Sequence, residues 1–459
     1  MKNLLKWIGA LVLLLGFTAQ GKAAEIFKND DLDFNIGGRF QELGQIDINN
    51  GDRIRNKVRV YLFNVEDRLT AFGDFKGFKY HLEIAFGGED INSSNNAQNL
   101  KEFNADIPII PDMVYVKVGQ FKVPSNLSSA DYEGNLLFTQ RSPLLNMFFN
   151  AGYDNGLSLW GKMGKLDGAG GVISGSPNLP QRYLPELFNF PPLTFLRIGY
   201  SDEVDADPFH PLQTGFKKPD STKFAFHLNG MYCQDSNAGH STDLALAGGN
   251  LNTFSANGDF GNVLMYSNWN PYLGRLNNPV NGPVSATFTN LSVDTQVRAP
   301  LGDTTMTFQA QAGWSNFKAS SFAPITINGA VQTSGELNIG GGEIMASVGD
   351  NPWEIAGRFS MVIPDEGLKY SYAAGKYGRI TGSDPIYEVT LPSITWHMNE
   401  NAKLVADAEL QFNVPVTPSD DGAYVITQMP SQVTNISATQ NIFREPMITV
   451  GRMMFQYSF

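Results

Sequence analysis

Apolar and polar residues alternate along much of this chain. From Phe78 to Phe86 it reads Phe-Lys-Tyr-His-Leu-Glu-Ile-Ala-Phe, setting Phe78, Tyr80, Leu82, Ile84 and Phe86 on one side and Lys79, His81 and Glu83 on the other. A period of two is the side-chain repeat of an extended strand. It returns at Phe224, Phe226, Leu228 and Tyr232 against Lys223, His227 and Asn229. It returns again at Leu404, Ala406, Ala408, Leu410, Phe412 and Val414 against Asp407, Glu409, Gln411 and Asn413. The pattern predicts about 16 to 18 strands, including roughly 32–42, 53–75, 78–87, 112–122, 156–163, 194–200, 223–234, 261–269, 286–300, 303–316, 339–348, 353–362, 387–397, 403–414 and 447–459. Between them lie short turns, such as Lys76-Gly77 and Asn49-Asn50-Gly51-Asp52. Long polar or Pro-rich segments stand at 88–111, 123–155, 175–193, 201–222, 270–285, 317–338, 363–386 and 415–446. Short connections alternating with long ones predict an all-β, antiparallel transmembrane barrel of about sixteen strands, with short periplasmic turns on one rim and long extracellular loops on the other. A soluble sandwich would alternate in the same way with its apolar face turned inward, so the period alone leaves both architectures open.

The two ends favour the barrel. Residues 1–23 carry Lys2 and Lys6, an apolar run from Ile8 to Phe17, and the small residues Gly21 and Ala23 two positions apart. That is the layout of a secretory signal peptide, and residues 24–459 are expected to form one barrel domain. At the other end Phe455, Tyr457 and Phe459 share one face of an alternating aromatic segment. It resembles the terminal strand by which barrel-assembly machinery recognises outer-membrane barrels.

Composition narrows the class further. Only 17% of residues are charged and 12% are aromatic, the reverse of a disordered chain. After the leader, no apolar run approaches the roughly 18 residues of a spanning helix. A single cysteine, Cys233, rules out an internal disulfide or a CxxC metal site. The net charge of -12 disfavours nucleic acid as a partner. Without Lys2, Lys6 and Lys22 the count falls to 30 basic against 45 acidic residues, or -15. Export of an acidic, cysteine-poor, aromatic-rich chain points to the bacterial cell outer membrane, with its lipid as the surrounding solvent.

Several motifs then carry a family resemblance. Phe72-Gly73-Asp74 is followed by Tyr80-His81-Leu82-Glu83, by Gly119-Gln120-Phe121-Lys122-Val123-Pro124, and by Leu127-Ser128-Ser129. Leu137-Phe138, Arg141-Ser142 and Asp154-Asn155-Gly156-Leu157 come next. In order and spacing these resemble the phosphate-selective porin O and P family over about residues 53–163, and Arg452 to Phe459 is also similar. The resemblance implies an outer-membrane barrel of about sixteen strands and a homotrimer, with loops folded inward to narrow the pore and basic side chains guiding anions. Two features depart from it. Tyr153 stands where the family often has a basic residue before Asp154, and the net charge is acidic.

The most pointed chemical feature is Arg53, Arg55, Lys57 and Arg59, four basic residues two apart with Ile54, Val58 and Val60 between them. In a strand they form a ladder on one wall. Facing lipid near the midplane each would cost about 2–4 kcal/mol, so the ladder looks into the lumen or sits beyond the membrane. It could line an anion path, or it could pair with lumenal acids such as Glu83, Asp407 or Glu409 and merely stiffen the wall. Lys117 could extend the strip. Lys122 could do so only if the strand breaks or bulges near Gly119, and Arg141 lies in a long segment that could fold inward as a constriction. Asp202, Glu203, Asp205 and Asp207 near His210 lack the spacing of a calcium loop, and His81, His210, His227, His240 and His397 lack paired ligand spacing. No metal, cofactor or catalytic site is expected. The leading expectation is a non-enzymatic porin passing small hydrophilic solutes, with a preference for anions as its finer expectation. The alternatives are a barrel sheath around an electron-transfer or secreted partner and a barrel-embedded hydrolase.

Overall fold

The computed structural model describes residues 24–29, 31–49, 58–86, 100–130, 136–142, 152–173, 193–202, 207–209, 219–235, 285–321, 325–327, 330–332, 335–350, 352–364, 385–399, 401–419, 422–425 and 443–459. Its strands are β1 (Ala24–Lys28), β2 (Leu32–Asn49), β3 (Val58–Phe75), β4 (Phe78–Ala85), β5 (Leu100–Ile110), β6 (Val114–Lys122), β7 (Tyr153–Met163), β8 (Leu166–Ile173), β9 (Leu193–Ser201) and β10 (Lys223–Asp235). They continue as β11 (Ser285–Leu301), β12 (Thr304–Ser321), β13 (Ile325–Ile327), β14 (Ala330–Gln332), β15 (Gly335–Asp350), β16 (Trp353–Pro364), β17 (Ile386–His397), β18 (Ala402–Ser419), β19 (Gly422–Val425) and β20 (Phe443–Ser458). A single turn of helix, α1 (Leu127–Ala130), follows β6.

All but β13 and β14 belong to one 18-stranded sheet. Leaving out the short β1 and β19, sixteen strands pair antiparallel in sequence, and β20 returns to β2 to close the circuit. Closure leaves the wall without a free edge, as an apolar solvent requires.

The direction of each face decides between sandwich and membrane barrel. Along β2 the inner side carries the buried Arg39, Gln41, Leu43, Gln45 and Asp47, while Phe40, Ile46 and Ile48 stand exposed on the outer side. On β3, Val60 and Leu62 are 72% and 84% exposed. On β18 the inner row is Lys403, Val405, Asp407, Glu409 and Gln411. Apolar residues outside and charged residues inside invert the soluble arrangement, and the fold is that of an outer-membrane barrel. Aromatic rings gather on the outer face near one rim. Phe40 stacks on Phe459 (6.0 Å), Phe459 on Tyr457 (6.3 Å) and Trp353 on Trp396 (5.7 Å), which matches an interfacial girdle.

That rim carries the short connections 76–77, 111–113, 164–165, 302–303, 351–352 and 398–401, and the long connections lie at the other. Three expectations need correction. Residues 100–110 were expected inside a long loop but form β5, because the polar Lys101, Glu102 and Asn104 are lumenal rather than solvated. The Gly-rich β8 was not expected as a strand; its glycines face neighbouring backbone instead of a core. The long connection 202–222 lies on the rim of short turns, since it joins β9 to its antiparallel neighbour β10. The expected strand at 261–269 lies outside the described residues.

Candidate functional site

The chain leaves β6 at the rim of long loops and, instead of extending outward, crosses the lumen. Ser292 on β11 donates to the Ser125 carbonyl (3.0 Å). Residues 136–142 reach the opposite wall, where β16, β17 and β18 hold them. Lys403 Nζ donates to the Leu136 carbonyl (2.6 Å), Ser393 Oγ to the Leu137 carbonyl (2.6 Å), and Arg358 Nη1 to the Gln140 carbonyl (2.9 Å). In return the Thr139 amide and hydroxyl donate to Asp407 Oδ2 (2.8 and 2.7 Å), and the Ser142 hydroxyl donates to Glu388 Oε2 (2.8 Å). Leu137 and Phe138 pack with Met345 and Ala356, and the Arg358 guanidinium lies 4.4 Å from the Phe138 ring centroid. A free loop would carry unsatisfied backbone into a confined space; here the wall's charged groups supply the partners. The gap left between this segment and β12, β15 and β16 is about 20 Å³, roughly room for one water.

The surrounding wall is laced by ion pairs, some within a strand or between neighbouring strands and others reaching across an intervening one. Arg39 meets Glu66; Arg68 meets Glu66 (2.7 Å) and Glu83 (2.6 Å). Arg197 meets Asp294 (2.7 Å), with Asn229 bridging them and His227 set between Asp167 (3.0 Å) and Asp294 (3.4 Å). Arg452 meets Glu409 (3.0 Å) and Asp407 (3.5 Å), and Arg358 meets Glu409 (3.4 Å) and Glu343 (3.8 Å). These charges are buried, so each depends on its partner, and removing one side of such a pair costs about 3–5 kcal/mol. Near the rim of long loops three cations surround one ring: Arg68, Lys101 and Lys122 lie 5.7, 5.8 and 5.9 Å from the centroid of Tyr153, whose hydroxyl accepts a hydrogen bond from Arg68 (2.8 Å).

Of the residues singled out from sequence, Arg53, Arg55 and Lys57 lie outside the described residues, and Arg59 is described only as a backbone position of β3 opposite Asp47. The proposed acids Glu83, Asp407 and Glu409 are lumenal, with Arg68, Arg452 and Arg358 as partners. Lys117 is ion-paired to Asp106 (2.8 Å), and its ammonium lies 4.9 Å from the centroid of the Phe209 ring. Lys122 is buried as the last residue of β6, which stays in register with β7 from end to end, so the bulge expected there is absent and only the backbone of Gly119 is unusual. Its φ is 118°, and a Cβ there would come 2.1 Å from the Phe103 carbonyl oxygen. Arg141 lies on the crossing segment and lines the small gap with Gln309, Glu343 and Arg358. Phe455 and Tyr457 face outward on β20, and Phe459 just beyond it closes onto Gly38.

Sequence reasoning missed Arg39, Arg68, Lys101, Arg197, Arg358 and Arg452, and missed that Thr139 and Ser142 anchor the crossing segment. A usable signal existed for Arg452, Arg358 and Arg197: each is a lone cation next to an outward apolar residue, Met453, Phe359 or Ile198. A second inward feature was also missed. Phe209, from the connection on the opposite rim, is buried edge-on against Phe121 (5.6 Å) and Trp160 (6.1 Å) inside the barrel. At the start of the same connection Asp202 binds Lys165 (2.6 Å) and Tyr200 (2.8 Å) outside the membrane span, which holds its carboxyl below the usual range and lifts the Lys165 ammonium to about 12. His210 and His240 lie outside the described residues.

No family model matches the chain, and no curated protein does. Solved structures do. The high-pH structure of OprB from Pseudomonas putida aligns with a TM-score of 0.51 at 9% identity, over 92% of this chain and 94% of that one. The outer membrane channel DcaP of Acinetobacter baumannii aligns at 0.48 and 9% identity, over 95% and 100%. Outer-membrane expressed OmpT of Vibrio cholerae aligns at 0.47 and 11% identity, over 95% and 100%. At such identity the likeness to OprB is one of fold.

Proposed function

We propose that the chain is an outer-membrane porin that passes small hydrophilic solutes by passive diffusion, with residues 123–130 and 136–142 contributing its constriction. The observation that carries this is the crossing segment. It spans the lumen from β6 to β16–β18 and is held by hydrogen bonds to buried charged groups, which gives a large barrel a fixed narrow point. A sheath would need to house a partner where this segment lies. The resemblance to phosphate-selective porins adds an anion preference, which the cations around Tyr153 support. Against it stand the ion pairs of the wall, which neutralise most described lumenal bases.

Oligomer formation belongs to the same reading. Glu42 and Asp67 lie on the outer face of β2 and β3, joined through Asn64 among Phe40, Ile46, Leu62 and Leu69. Carboxylates there are costly in lipid, so a homotrimer contact over this patch is the arrangement we favour. Planar-bilayer recording tests the function. The purified protein should form discrete conducting units whose reversal potential reports anion preference. A protein that inserts but conducts nothing, with or without residues 127–142, would refute the channel.

A further inference from the structure

Most lumenal rows of this barrel carry charged or amide side chains, and the wall at β6 and β7 departs from that. Phe121 and Trp160 are buried there on the inner side, with Lys117 beside them, while Val118, Leu157 and Leu159 stand exposed on the outer side. Apolar rings facing a water-filled space need a covering group, and Phe209 supplies it. It belongs to the connection between β9 and β10, on the rim opposite to the one where the crossing segment begins. Its ring meets Phe121 at 85° (5.6 Å) and Trp160 at 81° (6.1 Å), and the Lys117 ammonium lies 4.9 Å from its centroid. Edge-to-face contacts and a cation over the ring face are the arrangements a π-system prefers. Pro208 is buried with it, and the Phe209 amide donates to Asp207 Oδ1 (2.7 Å), a local turn that holds the tip.

The cradle around this ring is set by the wall itself. Asp106 on β5 accepts from the Lys117 ammonium through one oxygen (2.8 Å) and from the Trp160 indole N–H through the other (2.7 Å), and Lys117 also donates to Asn104 (3.3 Å). Tyr115 stacks on Trp160 at 4.7 Å and 17°. The direction of the ammonium and the plane of the indole are therefore fixed by β5, β6 and β7, whichever ring lies between them. We propose that Lys117, Phe121 and Trp160 form a binding site for an uncharged aromatic ring carried by a solute, and that Phe209 is the chain's own occupant of that site. The ligand class follows from the chemistry of the cradle. A tethered ammonium attracts the negative face of a ring and repels a cation, and two aromatic neighbours meeting it edge-on fit a flat ring better than a branched aliphatic group. A solute ring binds by displacing Phe209, so its apparent affinity is reduced by the fraction of chains whose site is free. The inference rests on the channel reading only in that the solute is one the lumen admits.

Equilibrium dialysis of the purified protein against N-acetylphenylalaninamide, with N-acetylalaninamide as the control, tests this. Phe209→Ala should bind the aromatic probe saturably and about tenfold or more tightly than the parent does, and should gain nothing for the control. Adding Lys117→Met with Asp106→Asn removes the ammonium together with its counter-charge and should weaken the probe by about threefold, which a purely apolar hole would not show. A second measurement keeps Phe209 in place. In a Cys233→Ser background the buried thiol of Pro208→Cys should react faster with N-ethylmaleimide when the aromatic probe is present and at an unchanged rate with the control. The proposal is overturned by no saturable binding in Phe209→Ala, by equal affinity in that variant and the parent, by binding indifferent to the loss of Lys117, or by a thiol whose reactivity the probe does not alter. If Phe209→Ala fails to assemble, the thiol measurement decides. Neither readout uses current, so this site and the channel reading fail separately.

Discussion

Unpinning the crossing segment without disturbing the wall is the sharpest test of its role. Ser142→Ala removes the hydroxyl that donates to Glu388, whose other oxygen is buried without a hydrogen-bond partner among the described residues. Thr139→Val removes one of two donors to Asp407 but leaves the amide in place. A hydrogen bond to a charged group contributes about 1.5–3 kcal/mol, so the double variant should loosen the segment by about 3–6 kcal/mol. At 1.4 kcal/mol per decade, the detached population rises by about 10² to 10⁴-fold. Adding Phe138→Ala removes the apolar anchor, at a further cost of about 3–5 kcal/mol for a buried aromatic ring. Single-channel recording should show larger current noise in the double variant and a higher mean conductance in the triple. Ser292→Ala, which loses one neutral bond worth about 0.5–1.5 kcal/mol at the other end of the segment, should change the detached population by no more than about tenfold. The reasoning is refuted if the triple variant keeps its heat-modifiable barrel and conducts like the parent.

Other expectations are as direct. Lys101→Gln with Lys122→Gln should move the reversal potential toward cations, and neutralising Arg55, Lys57 and Arg59 together should move it further; an unchanged potential in both would remove the anion preference. Glu42→Leu with Asp67→Leu should dissociate the proposed trimer in unboiled detergent gels while the barrel itself stays heat-modifiable, and a trimer that persists in this variant would exclude that face. The Asp202 contact to Lys165 should be lost in two pH ranges. The depressed carboxyl keeps its contribution above its ordinary value near 3.8 and loses it as pH falls through a lower one; the raised ammonium keeps its contribution below 10.5 and loses it as pH rises through about 12. Carbon-detected titration of the aspartate carboxyls should therefore return Asp202 toward 3.8 in Lys165→Ala, and a titration unmoved by that substitution would assign the shift elsewhere.

How much of this was legible in the sequence follows from how local each interaction is. Strands such as β4, β10 and β18 were readable because alternation is a property of a few consecutive residues, and lipid on one side enforces it. β8 was hidden because its glycines erase the apolar row, and β5 because its lumenal row is polar and carries Pro108. The lumen was readable only in halves. Asp407 and Glu409 could be assigned to an inner wall from their alternation with Ala406, Ala408 and Leu410. Their partners Arg452 and Arg358 stand on other strands, and which strands become neighbours is decided by closure of the whole sheet. Thr139 and Ser142 carried no pattern at all, since a loop that folds inward is specified by the wall it meets.

That dependence bears on the acidity of the chain. An acidic barrel looks unsuited to anions only if its charges act as a sum. Several described lumenal acids are committed to specific tasks: Glu83, Glu66 and Asp294 hold arginines in place, while Glu388 and Asp407 accept from Ser142 and Thr139 of the crossing segment. A carboxylate paired to an arginine in this way contributes little free field to a passing solute, because its charge is already compensated at hydrogen-bond distance. On the proposed anion reading, selectivity rests on the cations beside Tyr153, of which Arg68 is itself paired to Glu66 and Glu83. The ring of Tyr153, standing where a basic residue was expected, gathers Arg68, Lys101 and Lys122 around its face and draws on Arg68 through its hydroxyl. Tyr153→Phe should therefore keep the ring contact and lose only the Arg68 bond, shifting selectivity less than Tyr153→Ala does. Equal shifts in the two variants would mean that the ring does not organise these cations.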